Sequence, residues 1–213
     1  MTTQDNTDNK ALKRIAHVIS DTFSPILMPT IAMAAALWLT VMRFIPLGTR
    51  LWSLLGVFAI SAVIPFLTIF ALIKAGRVSD TSISDRTQRF WPYLTSIVCY
   101  IGAGLYLNAL HAPHWMPTFF YGAACVSVIA TVITAVCKWK ISAHVAAVSG
   151  VVGIIYWLAY NGMLEAPTLW LSAFIILAGL VAWSRLYLDR HTPLQVFAGA
   201  VLGFAVEYAV LCI

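Results

Sequence analysis

Apolar runs of about 20 residues, the length that crosses roughly 30 Å of hydrocarbon as an α-helix, recur along the chain from residue 23 to its end. Seven can be drawn, at 23–42, 51–73, 91–110, 116–137, 145–164, 168–188 and 193–213. They lack the in/out alternation of a membrane strand, so helices are the way their backbone polar groups can be satisfied inside lipid. The sequence therefore predicts an all-α fold, a polytopic transmembrane helical bundle of about six to seven spans. It occupies residues 23–213 behind a polar N-terminal segment, 1–22. The first apolar run is full length and has no small-residue cleavage signature, so it reads as a retained span and not as a signal peptide.

Composition narrows the function. Of the 213 residues 61% are hydrophobic and 10% charged, against roughly 45–50% and about 25% in soluble domains. The net charge of +5 does not point to nucleic acid, because the cations sit in short connections between spans, where topology and anionic headgroups account for them. Cys99, Cys125, Cys137 and Cys212 lie within or at the ends of apolar runs without close spacing. That pattern fits small packing groups, not a zinc site or a disulfide framework.

With seven spans, the N-terminus and the connections after spans two, four and six share one side. Eleven of the 13 Lys and Arg residues fall there, leaving Arg43 and Arg50 opposite. Setting aside Arg86, Arg89, Lys140 and Arg185, which a phosphate site would gather on either side, still leaves seven against two. The excess of positive charge in cytoplasmic loops then places the N-terminus and these connections in the cytoplasm.

Three polar clusters reach that same face: SISDRTQRFWP at 82–92, KWKISAH at 138–144 and SRLYLDRHTP at 184–193. Arg86 and Arg89, three apart, share a face if that segment is helical. His144 and His191 each lie beside the start of a span, with Ser142 able to cap one and Thr192-Pro193 opening the other. Helix N-termini present unbonded N–H groups and a partial positive charge, so two of them near several arginines make an anion site, with phosphate the obvious ligand. Two imidazoles beside a phosphate suggest a nucleophile and an acid/base.

The order Ser142-Ala143-His144 followed by Ser184-Arg185-x5-His191 resembles the second and third signatures of the type 2 phosphatidic acid phosphatase superfamily, whose pattern runs K-x6-R-P, P-S-G-H and S-R-x5-H-x3-D. That resemblance implies His191 as nucleophile, His144 as acid/base, and Arg185 with the Ser142–Ala143 turn as the phosphate cradle. Lys140 and Arg86 or Arg89 would supply further cations. It also implies hydrolysis of a phosphomonoester or diphosphate, usually on a lipid, with no metal and no cofactor. The sequence departs from the pattern where Ile141 and Ala143 stand for Pro and Gly. No Lys lies seven residues before Arg86 or Arg89, and neither is followed directly by Pro. Gln195 stands where an acid is expected, an ending also met in the glucose-6-phosphatase and dolichyl diphosphate phosphatase branches.

Gln195 has two readings: it can orient the His191 ring, or close a capping box with Thr192 at the start of the last span. Asp189 reads as a solvated loop residue, and His111 and His114 as interfacial residues on the opposite face. Glu207 lies deep in the last span, roughly 24 Å from His191 by helical rise, which excludes it from the chemistry; pairing with Arg43 or Arg50 is expected. The expected function is that of an integral membrane phosphatase acting on a lipid phosphate or polyprenyl diphosphate, with membrane lipids as its surroundings. A lipid phosphotransferase is the neighbouring alternative. A non-catalytic bundle that binds or transports anionic lipids is the distant one.

Overall fold

In the computed structural model, which describes residues 3–78, 88 and 90–213 (backbone only for 3–9), the chain begins with α1 (Thr3–Thr22) and α2 (Met28–Leu39). A helical stretch follows as α3 (Leu47–Phe58), a π turn (Ala59–Val63) and α4 (Ile64–Lys74). Then come α5 (Phe90–Ala109), α6 (Trp115–Val136), α7 (Ala143–Tyr160), α8 (Pro167–Tyr187) and α9 (Pro193–Leu211). The π turn has a local cause: Pro65 has no N–H to give the Ser61 carbonyl, and the ladder widens by one residue before it.

Leu47–Lys74 and α5 to α9 are long and apolar enough to cross a membrane, and their bounds agree with six of the runs drawn from sequence to within four residues. Their outward surfaces carry Phe66, Val98, Val132, Ile176 and Phe197, all exposed. Such surfaces belong in hydrocarbon.

The run at 23–42 is the exception. It yields only the 12-residue α2, about 18 Å long, and not a full span. Ser24-Pro25 and Pro29 account for the late start, since the residue before a proline is pushed out of the helical region and proline suits only the first turn. The short helix is well covered, with seven of its residues buried. Its surroundings still carry the chain across the bundle. Ser20 touches Arg185 in the last turn of α8, while Thr40 bridges Leu164 and the Leu39 carbonyl accepts the Glu165 N–H at 3.2 Å, just before α8 begins.

The centre is α7, of whose 18 residues 11 are buried. It runs parallel to α9, and glycines let the two backbones nearly touch. A methyl group at Gly199 would sit 2.7 Å from the Ser142 carbonyl oxygen, and one at Gly203 2.0 Å from that of Ala146. This is small-xxx-small packing, in which close approach of helices replaces a hydrophobic driving force that lipid cannot supply. The consequence is that the N-terminal turns of α7 and α9 are locked side by side.

Candidate active site

α9 opens with a capping box. The Thr192 hydroxyl accepts the Gln195 N–H at 3.4 Å, and Gln195 Oε1 accepts the Thr192 N–H at 3.3 Å, which satisfies two donors that the helix start leaves over. The same Oε1 lies 3.1 Å from His191 Nδ1. A backbone N–H can only donate, so the Thr192 contact fixes which end of the Gln195 amide is oxygen. His191 Nδ1 must then carry the proton, and the lone pair of the neutral ring is on Nε2. The two readings of Gln195 are thus filled by one atom.

The first turn of α7 docks onto this one. The Ser142 N–H donates to the Gln195 carbonyl at 3.2 Å, and the Ser142 carbonyl accepts from Ala146 at 2.9 Å. Ser142 is the N-cap of α7, fully buried, but its hydroxyl makes no capping bond and has no partner among the described residues. The capping bond expected from sequence is therefore absent. The backbone stands at φ −76° and ψ 100°, and the Ser142 main chain, not its side chain, ties the two helix starts together. The N–H groups of Ala143, His144 and Val145, the first turn, have no carbonyl within the helix to bond. His144 and Lys140 are half-buried at this end.

Arg185 arrives from α8. Its helix closes with the Asp189 N–H on the Leu186 carbonyl at 3.0 Å and the Arg190 N–H on the Arg185 carbonyl at 3.1 Å, with Asp189 at φ 52°. That left-handed residue makes a Schellman ending, which turns the chain sharply from α8 towards α9. Asp189 is exposed and serves the turn. Arg185 is 7% exposed, and its Nη1 donates to Ser20 Oγ at 2.6 Å.

Ser20 was not among the residues singled out from sequence. α1 is amphipathic, with Leu12, Ile15, Ala16 and Ile19 on one side and Lys10, Lys13, Arg14 and His17 on the other, but that pattern does not single out Ser20. Ala16 and Ser20, four apart, are the buried pair among the described side chains of α1. A polar segment thus becomes a wall of the site. Arg86 and Arg89 lie outside the described residues.

Glu207 departs from expectation. Arg43 bonds Glu165 instead, and the Arg50 guanidinium lies 5.1 Å over the Trp38 ring. Glu207 is buried in α9, with Oε1 unpartnered among the described residues.

Residues 136–213 match the family model described as PAP2 superfamily. The matched segment holds α7, α8 and α9, and with them Lys140, Ser142, His144, Arg185, His191 and Gln195. No curated protein and no solved structure matches the chain significantly. Apolar helices long enough to span a membrane carry these motif residues in this order, and the segment from 136 to 213 that holds them is similar to the PAP2 superfamily, whose members are phosphatases.

Proposed function

We propose that the chain hydrolyses a lipid phosphate or diphosphate through a phosphohistidine at His191. The observation that carries this reading is the shared Gln195 oxygen, which keeps the proton of His191 on Nδ1 and so presents Nε2 as the nucleophile. Nε2 attacks phosphorus as the bond to the lipid oxygen breaks, and His144 gives that oxygen its proton. His144 then takes a proton from water, whose oxygen displaces the imidazole and releases inorganic phosphate. Arg185, Lys140, the Ser142 hydroxyl and the N–H groups beginning at Ala143 hold the phosphoryl oxygens as charge moves among them. Arg86 and Arg89 belong to this proposal as further cations. A Gln in place of a carboxylate orients the ring while giving the imidazolium less electrostatic support.

A lipid substrate is favoured by the helices that carry the motif residues, which are long and apolar enough to cross a membrane and would put their ends at headgroup depth. The site faces the cytoplasm by the distribution of Lys and Arg. Two native cysteines report on that orientation. Cys137 ends α6 on the site face and Cys212 ends α9 on the other, both exposed. In single-cysteine variants on intact cells, an impermeant maleimide should label Cys212 and spare Cys137; the reverse pattern would put the site outside.

The test of activity is phosphate release by purified protein from a panel of lipid phosphates and diphosphates, with His191→Ala and His144→Ala alongside. An acid-labile phosphoprotein should form in the wild type and vanish in His191→Ala. Activity indifferent to both substitutions, or none on any member, would leave only a bundle that binds anionic lipids.

A further inference from the structure

Glu207 has no part in the chemistry above, yet α6 and α7 are shaped around it. It is 1% exposed. A methyl group at Gly122 would sit 2.6 Å from its Oε1 and 2.8 Å from its Oε2, and one at Gly150 3.8 Å from Oε2. Ionisable side chains at this depth in a membrane are costly and commonly mark a site.

The carboxyl borders a partly open cavity of about 70 Å³ lined by residues of α2, α5, α6, α7 and α9. Its wall starts at Ala143, between Ser142 and His144, and follows α7 for two turns to Gly150 and Val151, about 10 Å along the axis. Most of the lining is apolar, with Met28, Phe119, Val126 and Val151 among it. Its polar side chains are largely spoken for: Ser96 and Ser127 bond carbonyls of their own helices at 3.0 and 2.9 Å, and Tyr100 bonds the Pro25 carbonyl at 3.1 Å. That leaves two polar atoms without a partner among the described residues, the Tyr93 hydroxyl and Glu207 Oε1. A file of waters would suit this cavity poorly, because each buried water wants 2–4 polar partners and the walls offer few. A hydrocarbon chain suits the walls, and a polar group on that chain suits the carboxyl.

We propose that the cavity takes a hydrocarbon chain of the lipid substrate and that Glu207 recognises a hydroxyl on that chain, well below the headgroup. A hydroxyl can donate to a carboxylate or accept from a carboxylic acid, so the pairing holds in either protonation state. Tyr93, near the start of α5, meets the polar linkage between headgroup and chain. This deepens the lipid-phosphatase reading and rests on it for the identity of the headgroup.

The experiment compares two probes with the purified full chain in phosphatidylcholine nanodiscs: distearoyl phosphatidate, and its analogue with a hydroxyl at mid-chain on each stearoyl. Wild type should favour the hydroxylated probe in kcat/KM by about tenfold, as expected for one buried hydrogen bond. Glu207→Leu should bring the ratio to about one while keeping hydrolysis of the plain probe, and Glu207→Gln should retain a preference. If Glu207→Leu does not fold, Glu207→Ala takes its place. A wild-type ratio near one, or a preference that survives Glu207→Leu, overturns the proposal. If neither probe is hydrolysed, the catalytic reading falls separately, and thermal stabilisation decides the subsite. Selective stabilisation of wild type by the hydroxylated probe, lost in Glu207→Leu, upholds it; equal stabilisation by both probes overturns it.

Discussion

Among the described residues, the two faces of the bundle differ in whether they bury charge. On one, Arg185 and His191 are more than nine-tenths buried and held by Ser20 and Gln195. On the other, Arg43 and Glu165 pair with side chains 40% and 57% exposed, and Arg43 and Arg50 lie over the rings of Phe44 and Trp38. Burying a guanidinium costs several kcal/mol that its partners seldom return in full, whereas an exposed pair changes stability by about 0–1 kcal/mol. The difference is the one expected if, as proposed, the first face is kept for a phosphate ligand. The second can be explained as anchoring.

The sharpest way to break that comparison is at His191. His191→Ala should lower phosphate release by at least about 10³-fold while leaving the thermal midpoint within a few degrees, because the ring is buried at a helix start and not in the central packing. A variant that unfolds would make His191 a structural residue like any other, and the two faces would differ only in exposure. Next in size is Gln195→Ala, which removes the acceptor shared by His191 Nδ1 and the Thr192 N–H. It should cost roughly 100-fold in kcat by freeing the ring and its tautomer, and about 1 kcal/mol in stability through the lost cap. Gln195→Glu keeps both acceptors and should retain most of the activity. If Glu and Ala variants fall alike, the shared oxygen is not what orients the ring.

The motif face was also the more legible in the sequence. Six spans follow from run length alone, because backbone groups in lipid admit few alternatives to a helix. His144, Arg185 and His191 stood out by their place at the ends of spans and by the resemblance of their motifs to the family's signatures. What was hidden depends on contacts between distant residues: Ser20 meets Arg185 across 165 positions, and no local pattern states that. Hydropathy made 23–42 a full span because it registers apolarity, while Pro25 and Pro29 decide how much of that run can be helix. Glu207 was assigned a cation on the far face, but Arg43 is engaged by Glu165. Gly199-x3-Gly203 was readable as a packing motif, and it is what sets α9 against α7.

A smaller effect separates the buried arginine from its support. Ser20→Ala removes the hydroxyl that Arg185 Nη1 donates to. Hydrogen bonds to charged groups contribute about 1.5–3 kcal/mol, so KM for a lipid phosphate should rise by about tenfold or more, with kcat nearly unchanged if the bond positions Arg185 equally in ground and transition states. Ser20→Thr, which keeps the hydroxyl, should restore much of the loss. A fall in kcat with KM intact would mean that Ser20 acts only as the transition state forms. Parallel losses in Ser20→Ala and Ser20→Thr would assign the effect to packing of α1 on α8.

The smallest effect belongs to the opposite face, and its smallness is the point. Arg43 and Glu165 are joined in the open, one on the turn after α2 and the other just before α8, and water or headgroups can replace either partner. Arg43→Ala and Glu165→Ala should each shift stability by less than about 1 kcal/mol, and the double variant by no more than their sum. Phosphate release should stay within twofold, since α8 puts roughly 30 Å between this pair and Arg185. The backbone contacts of Thr40 with Leu164 and of Glu165 with Leu39 remain to hold α2 in place. A loss of activity comparable to that of Ser20→Ala would mean that the far pair sets the seating of α2, and through it α1 and Arg185. The two faces would then be coupled along the N-terminal segment, and exposure would no longer separate anchoring charge from binding charge in this bundle.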